Sequence, residues 1–186
     1  SFARSEPDEE IQDLLRNSIG LNLGLHYLSG SIMYDPLASP VDALTASKVV
    51  MMDSLITNID RTYKNPNLLS WHKELWLIDQ GASLYFHYNM DDWRAHAGKP
   101  FGQVKDHVLL ARASQLEEAT SQLKGLLTPE KIADITGTIP DIWLDDGSGG
   151  PTPDERRAIY SEYLNIRLSI IDSLLNQAQD ARKGGL

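Results

Sequence analysis

The most informative part of this sequence is a polar segment, Asn58-Ile59-Asp60-Arg61-Thr62-Tyr63-Lys64-Asn65-Pro66-Asn67, followed closely by Leu77-Ile78-Asp79-Gln80-Gly81. Phosphoryl transfer requires a carboxylate that accepts or orients the hydroxyl of the nucleophile, together with oxygen ligands for magnesium. Kinases carry an Asp and an Asn five positions apart on one loop, and a second Asp two residues before a Gly. Asp60 and Asn65 have the first spacing, and Asp79-Gln80-Gly81 has the second. The two segments together predict a phosphoryl-transfer site.

The order of elements around these residues strengthens that prediction. An apolar helix is predicted before Asp60, and two short apolar runs, Leu68–Trp71 and Leu75–Asp79, predict a hairpin that folds the chain back. Taken alone, an Asp five positions before an Asn recurs by chance, and Asp-x-Gly is common in turns. The alternative interpretation is a polar loop between helices, with Asp79 capping the next helix.

The same segments resemble the HipA-like kinase family of bacteria. The resemblance rests on the runs from Asp60 to Leu69 and from Leu75 to His87, and it extends from about Glu6 to Tyr88. It implies a mainly α fold, the C-terminal lobe of a protein-kinase-like or HipA-like fold with a small catalytic β-hairpin. It also implies an enzyme, a phosphotransferase that uses ATP and Mg²⁺ to phosphorylate a Ser or Thr type of hydroxyl.

Individual roles follow from the resemblance. Asp60 is the implied catalytic base, and Asn65 and Asp79 are the implied magnesium ligands. Asn67 is an alternative to Asn65, because Pro66 between them could turn either side chain inward.

The resemblance also implies which residues contact the nucleotide. Arg61 and Gly81, with Asn67, complete the residues that the resemblance implies for the ATP site. Arg61 follows the Asp instead of preceding it, which is the order of HipA proteins and lipid kinases. Thr62 stands where better-known HipA proteins have His, so the role of that position is open.

We expect one domain over residues 1–186, with a catalytic region at about 41–90 and C-terminal helices at about 103–183. No Gly-rich loop precedes a Lys-bearing strand of the Val-Ala-Ile-Lys type, so we expect the N-terminal lobe that clamps ATP to be absent and the isolated chain to be inactive. A protein substrate, a separate N-terminal lobe and an antitoxin-like partner are the partners that the resemblance suggests. The alternative function is a non-catalytic helical interaction module, or a pseudokinase, derived from this fold.

The amino-acid composition argues against several other functions, among them nucleic-acid binding and membrane insertion. The 186 residues carry a net charge of −9, which opposes binding to nucleic acid or anionic lipid, and no apolar run approaches the roughly 20 residues that span a bilayer. The absence of cysteine excludes disulfides and thiolate metal sites and fits a cytoplasmic protein. The five histidines lack metal-ligand spacing.

Capping residues predict where the longer helices begin and end. Ser39-Pro40 predicts the start of a helix that runs to about Thr57, and a second helix is predicted through Val108–Leu123, ending near Gly125. Thr152-Pro153-Asp154-Glu155 is a capping box, which predicts one long last helix ending at Gly184. On that helix we expect three arginines to be solvated: Arg156, Arg157 and Arg167.

Overall fold

The computed structural model describes residues 7–36, 38, 40–88, 90–145, 147 and 149–185. The described chain is mainly helical, with a small antiparallel sheet, as predicted. The helices are α1 (Glu9–Asn17), α2 (Ala43–Ile56), α3 (Trp93–Ala97), α4 (Leu116–Leu126), α5 (Pro129–Gly137), α6 (Asp141–Leu144), α7 (Pro153–Ser169) and α8 (Ile171–Gly184). The strands are β1 (Ile32–Met33), β2 (Leu68–Trp71) and β3 (Glu74–Leu77), and short 3₁₀ turns cover Tyr85–Tyr88, Gly102–Asp106 and Leu110–Arg112.

Helix α2 forms the centre of the core. It buries Ala46, Val50 and Met51 completely and packs against α4 and α8. Its N-terminal cap is the side chain of Asp42, which accepts a hydrogen bond from the Thr45 amide, whereas the predicted cap, Ser39, lies outside the described residues. The polar segment that begins at Asn58 follows the C-terminal end of this helix, and the chain leaves helical geometry at Thr57.

The predicted hairpin is confirmed as β2 and β3, and the sheet has a third strand that the sequence did not indicate. Strand β1 pairs antiparallel with β2, within a segment that reads as loop. The turn residues His72 and Lys73 both have positive φ angles of 50° and 69°, which matches the twist of a two-residue hairpin turn. The register sets Leu68 opposite Leu77, so the segments before β2 and after β3 leave the sheet side by side.

Two helix predictions in the C-terminal half are corrected. The predicted helix through Val108–Leu123 is α4 alone, preceded by 3₁₀ turns, because Val108, Leu109 and Leu110 are all buried and three consecutive positions cannot share one helix face. The predicted last helix is two helices that meet at Ile170. The break allows α7 to pack against α3 and α5 while α8 packs against α2 and α4.

A second, smaller apolar cluster joins α7 to the segment after the hairpin. Phe86, Trp93, Ala97 and Tyr163 are buried there, and the Phe86 and Tyr163 rings stack with centroids 4.1 Å apart. Within the described ranges, none of the helices combines the length and the apolar character that crossing a bilayer requires.

Candidate functional site

The polar segment predicted as the catalytic loop connects α2 to β2. The chain turns out of α2 at Thr57, whose backbone is left-handed with φ 55°, and the Asn58 amide donates a 2.9 Å hydrogen bond to the Asp53 carbonyl. At its other end, Asn67 also has a left-handed backbone, with φ 47°. Asn tolerates this region better than most residues because its short side chain bonds locally. The loop is therefore closed at both ends by defined backbone turns.

Three predicted site residues meet inside this loop. One oxygen of the Asp60 carboxylate, Oδ2, accepts hydrogen bonds from the side-chain amides of Asn65, at 2.7 Å, and Asn67, at 3.2 Å. The Asn58 side chain accepts a bond from the Asp60 amide at 3.2 Å. Asp60 is half-buried and Asn65 is exposed, so the carboxylate is held in place while the cluster stays open to solvent.

The structure places Asp79 beside the same loop. The hairpin continues past β3 through a 3.0 Å hydrogen bond from the Ile78 amide to the Asn67 carbonyl. Asp79 follows with a left-handed backbone, φ 50°, and its carboxylate oxygen accepts a 3.2 Å bond from the Gly81 amide. A side chain at Gly81 would stand 3.2 Å from that oxygen, so glycine leaves room for this turn. Such backbone outliers occur often at functional sites.

A buried ion pair lies under the cluster. Arg61 Nε donates to Asp53 Oδ2 at 2.5 Å, and both side chains are about 1% exposed. The other guanidinium nitrogens of Arg61 donate to the Asn67 carbonyl at 2.5 Å and to the Gln80 side chain at 2.9 Å. Arg61 thus joins α2, the end of the loop and the residue that follows Asp79.

A third buried side chain, that of His107 in the C-terminal half of the chain, also bonds to Asp53. The Leu109 amide donates to Nδ1 of His107 at 3.0 Å, so Nδ1 is an acceptor and Nε2 carries the proton that is donated to Asp53 Oδ2 at 3.1 Å. His107 is buried, and its backbone forms an antiparallel bridge with Thr62. Asp53 therefore receives two side-chain donors at one oxygen.

The predicted site residues lie on the loop between α2 and β2 and on the segment that follows β3. Asp60, Asn65 and Asn67 are in direct contact, and Asp79 is connected to them through Asn67 and Arg61. Since all of its donor nitrogens have partners within the protein, Arg61 acts as a positioning residue; its contact with ATP stays a prediction.

Four further residues form hydrogen bonds with the predicted site residues or with Asp53, and the sequence analysis assigns none of them a role: Asp53, Asn58, Gln80 and His107. One signal for Asp53 was present, because it interrupts an apolar helix, and a lone charge among apolar neighbours is usually paired in the interior. His107 lies too far along the chain for any local pattern to indicate it.

The donor set determines which metal this site could hold. Among the described residues, no group of three or more His, Asp or Glu side chains is arranged around a common metal position. The candidate ligands are instead the Asp79 carboxylate and an amide oxygen of Asn65 or Asn67, whose nitrogens already donate to Asp60. Magnesium binds oxygen ligands and takes only one or two from the protein, with water and phosphate supplying the others. The residues present fit magnesium on this criterion.

No protein-family model, curated protein or solved structure matches this chain.

Proposed function

We propose that this chain is the phosphoryl-transfer lobe of an ATP- and Mg²⁺-dependent kinase of HipA-like type. The observation that carries the proposal is the clustering of Asp60 with Asn65 and Asn67, on a loop that is tied to Asp79 through the hairpin and Arg61. The spacing of these residues along the chain is the spacing that kinases use. Contact among them supports a shared task.

The chemistry assigned to Asp60 is proton acceptance. The hydroxyl oxygen of the acceptor forms a bond to the γ-phosphorus of ATP, the bond from that phosphorus to the β,γ-bridging oxygen breaks, and ADP leaves. The hydroxyl proton passes to the Asp60 carboxylate, which the two Asn amides hold in orientation. Magnesium, when bound, neutralises charge on the phosphate oxygens. Asn65 or Asn67 and Asp79 would hold it.

This proposal includes a requirement for a second structural unit. The chain contains no Gly-rich loop ahead of a Lys-bearing strand, and kinases use those elements to cover and pair the nucleotide phosphates. We propose that another polypeptide segment, in the same or a separate chain, supplies them, and that the acceptor is a protein hydroxyl.

One observation favours the alternative function, a helical interaction module. Helix α1 has no buried residue, and its Ile11, Leu14 and Leu15 side chains, at helical spacing, are all exposed. An unpaired apolar stripe of this kind is typical of a helix that binds a partner. A pseudokinase that kept the fold would retain this surface and lose metal-dependent nucleotide binding.

Calorimetric titration of ATP separates the two functions. In the presence of magnesium we expect binding that EDTA removes, and we expect Asp79→Ala to weaken it by about tenfold or more, because a charged ligand of the metal is lost. Asp134→Ala, which removes an exposed carboxylate on α5, should bind as the unmodified chain does. If the chain alone gives no heat of binding, the same comparison is made in the longest natural polypeptide that contains it. Equal magnesium-ATP affinity in Asp79→Ala would exclude the kinase assignment.

A further inference from the structure

A cavity of about 450 Å³ is lined in part by the proposed catalytic loop. Its walls come from two segments of the chain, and they are lined by Thr62, Tyr63, Lys64, Lys105 and Asp106. None of these residues is among those proposed to take part in phosphoryl transfer. The volume lies within the range of pockets that hold small ligands or several side-chain atoms.

The walls of this cavity are fixed by backbone pairing. Thr62 and His107 form an antiparallel bridge, and the Val108 amide donates to the Arg61 carbonyl at 3.1 Å. Arg61 and His107, the residues next to the lining positions Thr62 and Asp106, have buried side chains that both bond to Asp53. The two lining segments are therefore held against each other by the same network that positions the catalytic loop. The cavity is a preformed feature of the fold.

The charge of the cavity is unusual for this protein. Lys64 and Lys105 are exposed and form no ion pair with any carboxylate in the described part of the chain. Two ammonium groups thus face one carboxylate, Asp106, in a chain whose net charge is −9. A local excess of positive charge on an acidic protein attracts anions selectively. Tyr63 also lines the cavity and carries a hydroxyl that can donate a hydrogen bond.

The position of the cavity indicates which anion it would meet. Lys64 directly precedes Asn65, whose side chain bonds the proposed base Asp60. A polypeptide whose hydroxyl approaches Asp60 would therefore bring a neighbouring side chain to the cavity. Lysine ammoniums bind carboxylate and phosphoryl oxygens with little geometric demand.

We propose that this cavity binds an anionic side chain, a carboxylate or a phosphoryl group, of the polypeptide acceptor. The identity of the ligand as an acceptor rests on the proposed kinase function, whereas the binding of an anion does not. The two can fail separately.

The test is an NMR titration of the ¹⁵N-labelled chain with two short peptides, one of alternating Glu and Ser and one of alternating Gln and Ser. We expect the acidic peptide to shift the backbone amides of the five lining residues, and the neutral peptide to leave them unchanged. The double variant Lys64→Ala/Lys105→Ala should bind the acidic peptide about tenfold more weakly, since two ammonium contacts are lost. Asp106→Asn should bind it more tightly.

Matched controls separate this site from general charge attraction and from the nucleotide site. Lys48→Ala/Lys131→Ala removes two exposed lysines elsewhere and should bind the acidic peptide as the unmodified chain does. Asp79→Ala should also retain peptide binding, because Asp79 does not line the cavity. Peptide binding can therefore be interpreted even if the kinase proposal fails. Inorganic phosphate alone should shift the same amides at higher concentration.

Several results would overturn the proposal. Equal shifts with the acidic and neutral peptides, no shift with either, or full binding by Lys64→Ala/Lys105→Ala would each exclude an anion site for an acceptor. Shifts of the lining amides with inorganic phosphate or magnesium-ATP, but not with the acidic peptide, would assign the cavity to free phosphate or nucleotide.

Discussion

Replacement of Arg61 by Met should lower the free energy of unfolding by about 3–5 kcal/mol, because the Asp53 carboxylate then stays buried without its cation. The substitution keeps most of the side-chain volume, so the loss is chiefly electrostatic. It also removes the donors to the Asn67 carbonyl and to Gln80, which help to hold the polar loop 58–67 against the segment around Asp79. Urea unfolding followed by circular dichroism measures the change.

The control for this prediction is an arginine whose ion pair is on the surface. Arg16 pairs with Asp13 at 2.9 Å, and both side chains are more than half exposed, so Arg16→Met should unfold close to the unmodified chain. The double variant Arg61→Met/Asp53→Leu should recover part of the lost stability, because it leaves no unpaired charge in the interior. Unfolding of Arg61→Met at the same urea concentration as the unmodified chain would show that the ion pair is not what stabilises this loop.

The sequence predicted those features that depend on neighbouring residues. The hairpin strands were found because apolar runs are bounded by polar turn residues, and the capping box at Thr152 is present with both of its hydrogen bonds. Asp60 and Asn65 lie five positions apart on one loop, so their contact also depends only on nearby residues.

Features that depend on distant partners could not be predicted in this way. The resemblance implies ATP binding for Arg61, and that role stays a prediction, whereas the bonds of its side chain to Asp53, Asn67 and Gln80 could not be foreseen. The apolar periodicity continues through the break at Ile170 and therefore does not indicate it, whereas the packing changes there, from mainly α3 and α5 on α7 to α2 and α4 on α8. Local patterns carry no information about either.

The same distinction explains the correction at Arg167, which the helical pattern placed in solvent. Its side chain is 0% exposed, and burial lowers the pKa of its guanidinium. It donates hydrogen bonds to two backbone carbonyls at the end of α2, Ser54 at 2.6 Å and Leu55 at 3.3 Å. It donates two more to the segment that ends α3, to the carbonyls of Ala97 at 3.1 Å and Lys99 at 2.5 Å.

Replacement of Arg167 by Met should lower the free energy of unfolding by about 4 kcal/mol or more, because four carbonyls, three of them in buried hydrogen bonds, lose their donor together. The same change should loosen the end of α2, which the polar loop 58–67 follows directly. We therefore expect faster hydrogen exchange at the Asn58 and Asp60 amides, measured by mass spectrometry or NMR under conditions where the variant remains folded.

A matched control is Arg94→Met. Arg94 is exposed and pairs with Glu162 at 2.6 Å, so its loss should leave both the unfolding midpoint and the exchange of the loop amides close to those of the unmodified chain. Arg167→Lys distinguishes charge from geometry: an ammonium keeps the charge but cannot reach four carbonyls with a planar fork of donors, and only partial recovery is expected. Full recovery with Lys would mean that a single cation suffices. Unchanged exchange at Asn58 and Asp60 in a destabilised Arg167→Met would mean that α7 stabilises the domain without holding the polar loop 58–67 in place.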